Sequence, residues 1–244
     1  PLCGESTAWQ SMVSSQPVYN ITLSDAGGAS ATTTVQILYN PSRAVILGPV
    51  VLDLDGNGIE LVARAESGIA FDMDCNAVPD PTGWVGAGDG LLALDRNGDG
   101  VIGSGAEISF MGDLAGATSD LEGLAAYDGN QNGYLDQGDA RFGEFRVWQD
   151  ANQDGVSQAE ELQSLADRGI SAINLTRTMT GATVDGATEN VTVATSDFTY
   201  TDGRTGAVGD VWLAYNPVEL QVDILDEADP PVQPTQDPPA SDPP

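Results

Sequence analysis

Alternating apolar and polar positions predict a β-hairpin near the start of the chain. Residues 17–39 alternate on both sides of the segment DAGG (25–28), and their Thr, Val and Ile side chains suit strands. The run AVILGPVVL (44–52) predicts two strands that are broken at Gly48-Pro49.

Residues 49–216 form the predicted main body, in which short apolar runs alternate with Gly- and Asp-rich loops. Strands are predicted at VVLDL, SAINLT, NVTVAT and DVWLAY. Two helices are predicted from capping boxes, Ser119-x-x-Glu122 and Ser157-x-x-Glu160, the second ending at Gly169. From Asp226 onward, the Pro-rich acidic sequence predicts an extended linker.

The net charge of the chain argues against nucleic acid and anionic membranes as partners and favours cations. There are 37 acids and 8 bases, all of them arginine, so the formal net charge is −29 with no lysine and no histidine. Such a chain repels nucleic acid and anionic membranes, so we expect neither nucleic-acid binding nor direct membrane insertion. A solvated halophilic-type surface or bound cations would account for the acids, and their clustering favours cations.

The segment DANQDGVSQAEE (150–161) has the ligand spacing of a complete EF-hand loop. Calcium takes 6–8 oxygen ligands, and alternating side chains in a tight loop converge on one ion. The expected ligands at loop positions 1, 3, 5, 7, 9 and 12 are Asp150, Asn152, Asp154, Val156 (by its carbonyl), Gln158 and Glu161. The alternative is an Asx-rich turn before a helix cap.

Two further segments repeat the pattern. In DGNQNGYLDQGD the expected ligands are Asp128, Asn130, Asn132, Tyr134 (by its carbonyl), Asp136 and Asp139. In DRNGDGVIGSGAE they are Asp95, Asn97, Asp99, Val101 (by its carbonyl) and Glu107, which falls one position late. A plain turn is the alternative for the latter segment.

Two incomplete loops precede these three. The first offers Asp53, Asp55, Asn57 and Glu60, and the second offers Asp72, Asp74, Asn76 and Asp80. The first needs ligands from elsewhere, and we expect the second segment to donate them or to form a further weak site. Surface turns remain an alternative for both. In total we expect about three to five calcium ions.

The resulting fold class is α+β: short strands in a sheet, EF-hand-like calcium loops and two or three short helices, preceded by a β-hairpin of a β-sandwich. Residues 1–47 resemble the last strands of an immunoglobulin-like or cadherin-like repeat. Residues 48–218 form the expected calcium-binding module, and residues 219–244 the linker. The chain begins at Pro1 without an initiator Met, so we expect a piece of a larger protein.

Neither the cysteines nor the apolar runs define a compartment. Cys3 and Cys75 are the only cysteines, so one disulfide bridge or two free thiols are both open. No apolar run approaches the roughly 20 residues of a membrane-spanning helix. Calcium loops of this quality suit extracellular calcium, with dissociation constants on the order of 10⁻⁴–10⁻³ M, so we expect folding after export.

The order of motifs resembles the calcium-dependent self-processing module of FrpC-like RTX proteins. The motifs TGWV, GDGLL and FRVWQDANQDG, followed by YTDGRTGAVGD, carry the resemblance over about Pro49–Asn216. It implies a type I secreted protein, extracellular or at a bacterial cell surface. It also implies calcium-triggered cleavage of an Asp-Pro bond just before the module, followed by joining of the aspartyl end to a lysine amine.

The aligned junction is Gly48-Pro49, which lacks the side chain that this chemistry requires. The aspartate carboxylate would attack its own carbonyl to form an anhydride, with the proline nitrogen leaving. Glycine has no carboxylate, and the chain has no lysine. Asp80-Pro81 and three Asp-Pro pairs in the tail keep cleavage elsewhere open; Asp80 is expected to be a ligand or turn residue instead.

Three functions follow from these residues. The first is a non-catalytic adhesin module whose incompletely ligated calcium captures a peptide carboxylate or an acidic glycan, with Trp84 and Tyr134 lining the site unless Trp84 packs in the core. The second is calcium-triggered self-processing with ligation to a partner lysine. The third is a spacer between neighbouring repeats of the same chain. Without histidine, Ser-His-Asp and Cys-His triads are excluded.

Overall fold

The computed structural model describes residues 18–24, 30–39, 45–182 and 189–223. These residues fall into two compact units, one within Leu38–Glu219 and one within Ser15–Ile37 and Leu220–Pro244. Residues 1–17, the predicted hairpin turn within 25–29 and the tail from 224 onward, with the predicted linker and its Asp-Pro pairs, lie outside the described residues.

Strands dominate the described chain, and none is longer than 11 residues. In chain order they are β1 (Val18–Ser24), β2 (Ser30–Tyr39), β3 (Val45–Leu47), β4 (Val50–Asp53), β5 (Leu61–Val62), β6 (Ala70–Phe71), β7 (Asp80–Pro81), β8 (Trp84–Val85), β9 (Asp89–Leu94), β10 (Tyr134–Asp136), β11 (Phe145–Trp148), β12 (Leu162–Ser164), β13 (Ile170–Asn174), β14 (Thr178–Met179), β15 (Val191–Tyr200), β16 (Thr205–Tyr215) and β17 (Val218–Asp223).

The described helices are short. Two are single α-helical turns, α1 (Arg64–Ser67) and α2 (Asp120–Gly123). The 3-10 turns are Gly105–Glu107, Met111–Asp113, Leu124–Tyr127 and Phe142–Glu144. The described fold is therefore mostly β, with less helix than the predicted α+β class implies.

A curled antiparallel sheet organises the larger unit. Its strands follow the order β10-β13-β15-β16-β4-β9-β11-β12, with β14 added to β15 and β3 added to β16. Strands β3 and β4 share one continuous register along β16, since Leu47 lies opposite Leu213 and Val50 opposite Asp210. The Gly48-Pro49 junction therefore lies between two strands that both pair with β16, and the Pro49 carbonyl accepts the Val211 N–H at 3.0 Å.

Apolar side chains cover both faces of this sheet, which explains the unbroken apolar runs of the central strands. Alternate residues of one strand enter opposite core clusters: Val50 and Leu52 pack on one face, and Val51 packs on the other. The second face contains three mutually packed rings, Phe71, Trp84 and Trp148, with centroids 5.3–5.5 Å apart. Trp84 is thus a core residue and does not line an open site.

One predicted helix is present only in part, and the other is absent. Ser119 caps α2 as expected by accepting the Glu122 N–H at 3.4 Å, but the α-helix ends after one turn. The helix predicted over 157–169 is wrong, because Leu162–Ser164 forms strand β12 against β11. Pairing with a sheet edge outweighs local helix propensity there, although Gly169 does adopt the left-handed conformation expected of a stop (φ 71°).

The smaller unit contains strands on either side of the predicted hairpin turn. Strand β1 pairs antiparallel with β2, from Val18 opposite Gln36 to Ser24 opposite Ser30. Strand β17 joins β2 in a three-stranded sheet. That these strands belong to a β-sandwich repeat stays a prediction.

Candidate metal centres

Five Asp-led turns in the larger unit have the same backbone conformation. Loop positions 4 and 6 have positive φ in all five, whether or not glycine occupies them. Position 4 is Gly56, Cys75, Gly98, Gln131 and Gln153, and position 6 is Gly58, Ala77, Gly100, Gly133 and Gly155. Four of these ten residues carry a side chain in a region that strongly favours glycine. The five stretches selected by sequence are therefore one repeated structure.

The first aspartate of every turn accepts the N–H of loop position 6. The five bonds are Gly58 to Asp53 (3.0 Å), Ala77 to Asp72 (3.0 Å), Gly100 to Asp95 (2.9 Å), Gly133 to Asp128 (2.9 Å) and Gly155 to Asp150 (2.9 Å). These bonds fold each loop around its first carboxylate. The three longer loops of the sequence prediction share this feature with the two incomplete ones.

The last acid of each longer loop is also placed in a common way. Its carboxylate accepts the N–H of loop position 2: Arg96 to Glu107 (3.2 Å), Gly129 to Asp139 (2.9 Å) and Ala151 to Glu161 (3.2 Å). Glu107 occupies this place although it comes one residue later in sequence. In all three loops, the last acid therefore lies at the start of the loop, where the first acid is.

The polar side chains at loop positions 3 and 5 also form hydrogen bonds. In two of them the amide at position 3 donates to the carboxylate at position 5, Asn97 to Asp99 and Asn152 to Asp154, both at 2.9 Å. In the loop from Asp53 the two residue types are exchanged, and the Asn57 amide at position 5 donates to the Asp55 carboxylate at position 3, at 3.0 Å. In the loop from Asp128, the N–H of Asn132 donates to the Asn130 side chain, and the Asn132 amide reaches Asp136.

Loop position 7 exposes its side chain, as expected of a residue that acts through its carbonyl. Val101, Tyr134 and Val156 are 42, 40 and 57% exposed. At position 9, the amide nitrogen of Gln158 donates to Asp154, while its buried oxygen has no partner. A buried side-chain oxygen without a hydrogen-bond partner is available to bind a metal ion.

Asp89 lies beside the first incomplete loop, and sequence reasoning missed it. Oxygens of Asp53, Asp55 and Asp89 lie within 4.8 Å of one another. Asp89 is fully buried at the start of β9; one oxygen accepts the Glu60 N–H at 2.6 Å, and the other has no partner. Of the two roles expected for residues 72–80, a donor to this loop or a further weak site, the grouping of their carboxylates favours the second, because β9 pairs with β4 and places Asp89 opposite Asp53.

The electrostatics of this cluster favour a positive ion. Burial, with the charges of Asp53, Asp55 and Glu60, raises the pKa of Asp89 to about 6, and the Glu60 N–H opposes that rise. A cation among these carboxylates would replace the missing counter-charge. An acid inside an apolar run, as in GAGDGLLAL, was the sequence signal for Asp89.

The second incomplete loop forms its own cluster. Oxygens of Asp72, Asp74 and Asp80 lie within 4.8 Å of one another. Asp80 is fully buried and accepts the N–H of Met73 and of Val218. Burial raises its pKa to about 7. The Asn76 amide donates to the Val218 carbonyl, and Cys75, at position 4 of this turn, is disulfide-bonded.

Loops 95–107 and 150–161 are joined directly. The Ser157 hydroxyl accepts the Ile102 N–H at 2.7 Å and lies 3.2 Å from the Ile102 carbonyl, to which it donates. Both residues occupy loop position 8. Two core tryptophans also reach the second loop: Trp84 donates to Asp150 at 2.8 Å and Trp148 to Glu161 at 3.3 Å. These loops and the aromatic core are therefore one connected unit.

The basic residues that form ion pairs do so with other acids. The ion pairs found among the described residues join Arg96 to Asp113, Arg141 to Glu144, Arg177 to Glu122 and Arg204 to Asp202. These four acids lie outside the predicted ligand set. The arrangement fits hard cations held by oxygen ligands, and the binding of an ion at any of the five loops stays a prediction.

Comparison with known proteins places the chain in a family. The SPM domain matches residues 50–214, which is more than half of the chain. The chain is also 39% identical, over 174 residues, to the iron-regulated protein FrpA of Neisseria meningitidis serogroup C. That alignment covers 69% of this chain and 15% of FrpA, so the chain spans a small part of its relative. No helix among the described residues is long and apolar enough to cross a membrane. The chain belongs to the SPM domain family.

Proposed function

We propose that the chain is a calcium-folded extracellular module of a large secreted RTX-type protein, and that it acts as a non-catalytic binding or structural domain of an adhesin. The observation that carries the calcium part is the repeated turn: five loops with one backbone conformation, each folded around its first aspartate. Several ions, about three to five, would neutralise part of a net charge of −29.

The non-catalytic part of the proposal rests on the junction at Gly48-Pro49. Residue 48 has no carboxylate. A Cβ placed there would lie 3.1 Å from Cδ1 and 3.1 Å from Nε1 of Trp212, so the indole already occupies the space next to it. Self-processing at this junction would need an aspartate side chain at residue 48. The chain lacks that side chain, and the Trp212 indole would have to move to make room for it.

The binding role concerns the cluster of Asp53, Asp55 and Asp89. Asp55 is exposed while Asp53 and Asp89 are buried, so an ion held there would keep part of its coordination open to solvent. Such an ion would take a carboxylate from a peptide C-terminus or an acidic glycan. A spacer role between neighbouring repeats would need the ions but no such ligand.

Adding calcium to the purified chain tests the proposal. The chain is placed in chelator, brought to millimolar calcium, and followed by intact mass and near-ultraviolet circular dichroism. We expect a folded spectrum and a mass that changes only by bound calcium. A constant mass without folding would overturn the calcium part, while fragments with new Asp and Pro ends would overturn the non-catalytic part.

Calcium-triggered Asp-Pro cleavage with ligation to a partner lysine is the second candidate, and the family match, which begins at Val50 directly after Gly48-Pro49, favours it. The variant Gly48→Asp restores the carboxylate, and Gly48→Asn is the matched control of nearly equal size without one. Cleavage of Gly48→Asp alone would mean that the chain lacks only this side chain. Cleavage of the unmodified chain would make the second candidate correct.

A further inference from the structure

Two buried carboxyl groups lie away from the predicted calcium loops. Asp120 is 1% exposed in the first turn of α2, and Asp210 is fully buried in the middle of β16. The neighbours of Asp210 on the adjoining strands are Val50 and Ala194, which carry no charge. Acids this deeply buried are rare unless they are paired.

Each of these carboxyl groups has one satisfied and one unsatisfied oxygen. Asp120 Oδ1 accepts hydrogen bonds from the Ser109 hydroxyl (3.0 Å) and the Phe110 N–H (2.9 Å), and Asp210 Oδ2 accepts the Leu121 N–H (3.3 Å). Asp120 Oδ2 and Asp210 Oδ1 are buried without a partner. A buried acceptor without a hydrogen-bond partner destabilises the fold, so these two oxygens call for a donor.

The two groups are neighbours in space. Asp210 accepts the N–H of Leu121, the residue next to Asp120, and its negative charge raises the pKa of the Asp120 carboxyl. Two adjacent carboxylates in a dry environment repel each other, and one shared proton removes the repulsion. It also turns one carboxyl group into a donor for the other.

A metal ion fits this place less well than a proton. Calcium takes 6–8 oxygen ligands, whereas only two orphan carboxylate oxygens are available here. The backbone groups that reach the pair, the N–H groups of Phe110, Met111 and Leu121, are donors, and the Ser109 hydroxyl also donates to Asp120. Donors repel a cation.

We propose that Asp120 and Asp210 bind one proton between them and that this proton-binding site locks α2 onto β16, making the stability of the module depend on pH. Because Asp210 lies opposite Val50, the lock acts on β4, the strand that begins directly after Gly48-Pro49. The site is independent of the calcium loops and goes beyond the proposed function.

The charged side chains near the pair do not neutralise both carboxyl groups. Arg177 donates to the Ser119 hydroxyl at 2.6 Å and forms an ion pair with Glu122. Burial raises the pKa of Asp210, the Arg177 charge opposes that rise, and the Glu122 charge adds to it. Burial raises the pKa of Asp120 to about 8, against hydrogen bonds from Phe110, Met111 and Ser109.

The sign of the pH dependence follows. An unfolded aspartate has a pKa of about 3.9 and releases its proton well below neutral pH, while the folded pair keeps one proton up to about pH 8. Unfolding therefore releases a proton in this window. The stabilisation that comes from this shared proton is complete below pH about 3.9 and falls as pH rises toward about 8, by about tenfold in the unfolding constant per pH unit.

Denaturant unfolding of the calcium-saturated chain, from about pH 5.5 to about pH 9, tests the proposal. We expect the unfolding constant of the unmodified chain to rise with pH at this slope and then level off. Asp120→Asn and Asp210→Asn should each flatten the slope, because the amide donates to the remaining carboxylate without a proton. Asp202→Asn, an exposed acid paired with Arg204, is the control and should keep the slope.

A second measurement decides the case if a variant does not fold. Carbon-13 NMR of the aspartate side chains in the unmodified, calcium-saturated chain should find one carboxyl of the pair that titrates near pH 8. Both carboxyl groups titrating below about pH 5, or equal slopes for the unmodified chain and Asp120→Asn, would overturn the proposal.

Discussion

At the scale of single residues, the chain uses buried acids where an ordinary core would use apolar side chains. Asp80 and Asp89 are both fully buried, and their raised pKa values reflect burial first and neighbouring acids second. Without an ion, each adds repulsion to the fold; with one, each becomes a ligand already in place. The same side chain therefore has opposite effects on stability in the two states.

Asp89→Asn should separate these two effects. In chelator we expect the variant to be more stable than the unmodified chain, because a buried charge next to Asp53 and Asp55 is removed. In calcium we expect one site to weaken by about tenfold or more, equivalent to ~1.4 kcal/mol. Isothermal titration calorimetry and denaturant unfolding in both conditions measure this.

The exposed variant Asp202→Asn is the control for Asp89→Asn, and we expect it to change neither the calcium affinity nor the stability in chelator. If Asp89→Asn lowered stability in chelator and left the calcium titration unchanged, Asp89 would be a structural acid and not a ligand.

At the scale of elements, short loops gain order from the strands and loops that they contact. The loops starting at Asp95 and Asp150 are linked through Ile102 and Ser157, and the second loop is linked to the core through Trp84 and Trp148. Ser157 was predicted as a helix cap, but its hydroxyl serves the neighbouring loop instead. Ions in these two loops should therefore bind cooperatively.

Ser157→Ala should reduce this cooperativity. The variant leaves the buried Ile102 N–H without its partner, at a cost of about 1–3 kcal/mol. We expect lower stability in calcium and a shallower calcium titration, followed by the fluorescence of Trp84 and Trp148. Ser171→Ala removes a hydroxyl bonded to the Thr199 carbonyl and is the matched control. An unchanged titration steepness in Ser157→Ala would contradict direct coupling of the loops.

At the scale of the whole molecule, charge and hydrophobic burial oppose each other. The larger unit has a core on both faces of its sheet, while the chain as a whole carries 29 negative charges in excess. Self-repulsion of this size destabilises a compact state, and divalent cations that bind only the folded chain reverse it by mass action.

The melting temperature should therefore rise with the logarithm of the calcium concentration. Above its dissociation constant, each ion adds about 1.4 kcal/mol of stability per tenfold increase in free calcium. Three to five ions would give a correspondingly steep slope in scanning calorimetry. Sodium chloride at equal ionic strength is the control, since screening alone acts weakly on buried groups. Equal effects of the two salts would mean that charge screening, and not specific binding, stabilises the fold.

The sequence by itself determined the local features. Asp, Asn and Gly at fixed spacing selected all five turns, because such loops are built from contacts within a few residues. Apolar runs located β4, β13, β15 and β16, and Ser119 was recognised as a cap. The late acid Glu107, which the sequence assigned to the loop from Asp95, accepts the N–H of Arg96 in that loop.

The tertiary structure alone decided which distant residues meet. Asp89 joins Asp53 because β9 pairs with β4, the Leu121 N–H of α2 meets Asp210 of β16, and Leu162–Ser164 is a strand because β11 offers a free edge. None of these contacts leaves a periodic signal in the chain. Their energies come from long-range pairing and burial, which outweigh local propensity once the sheet has formed.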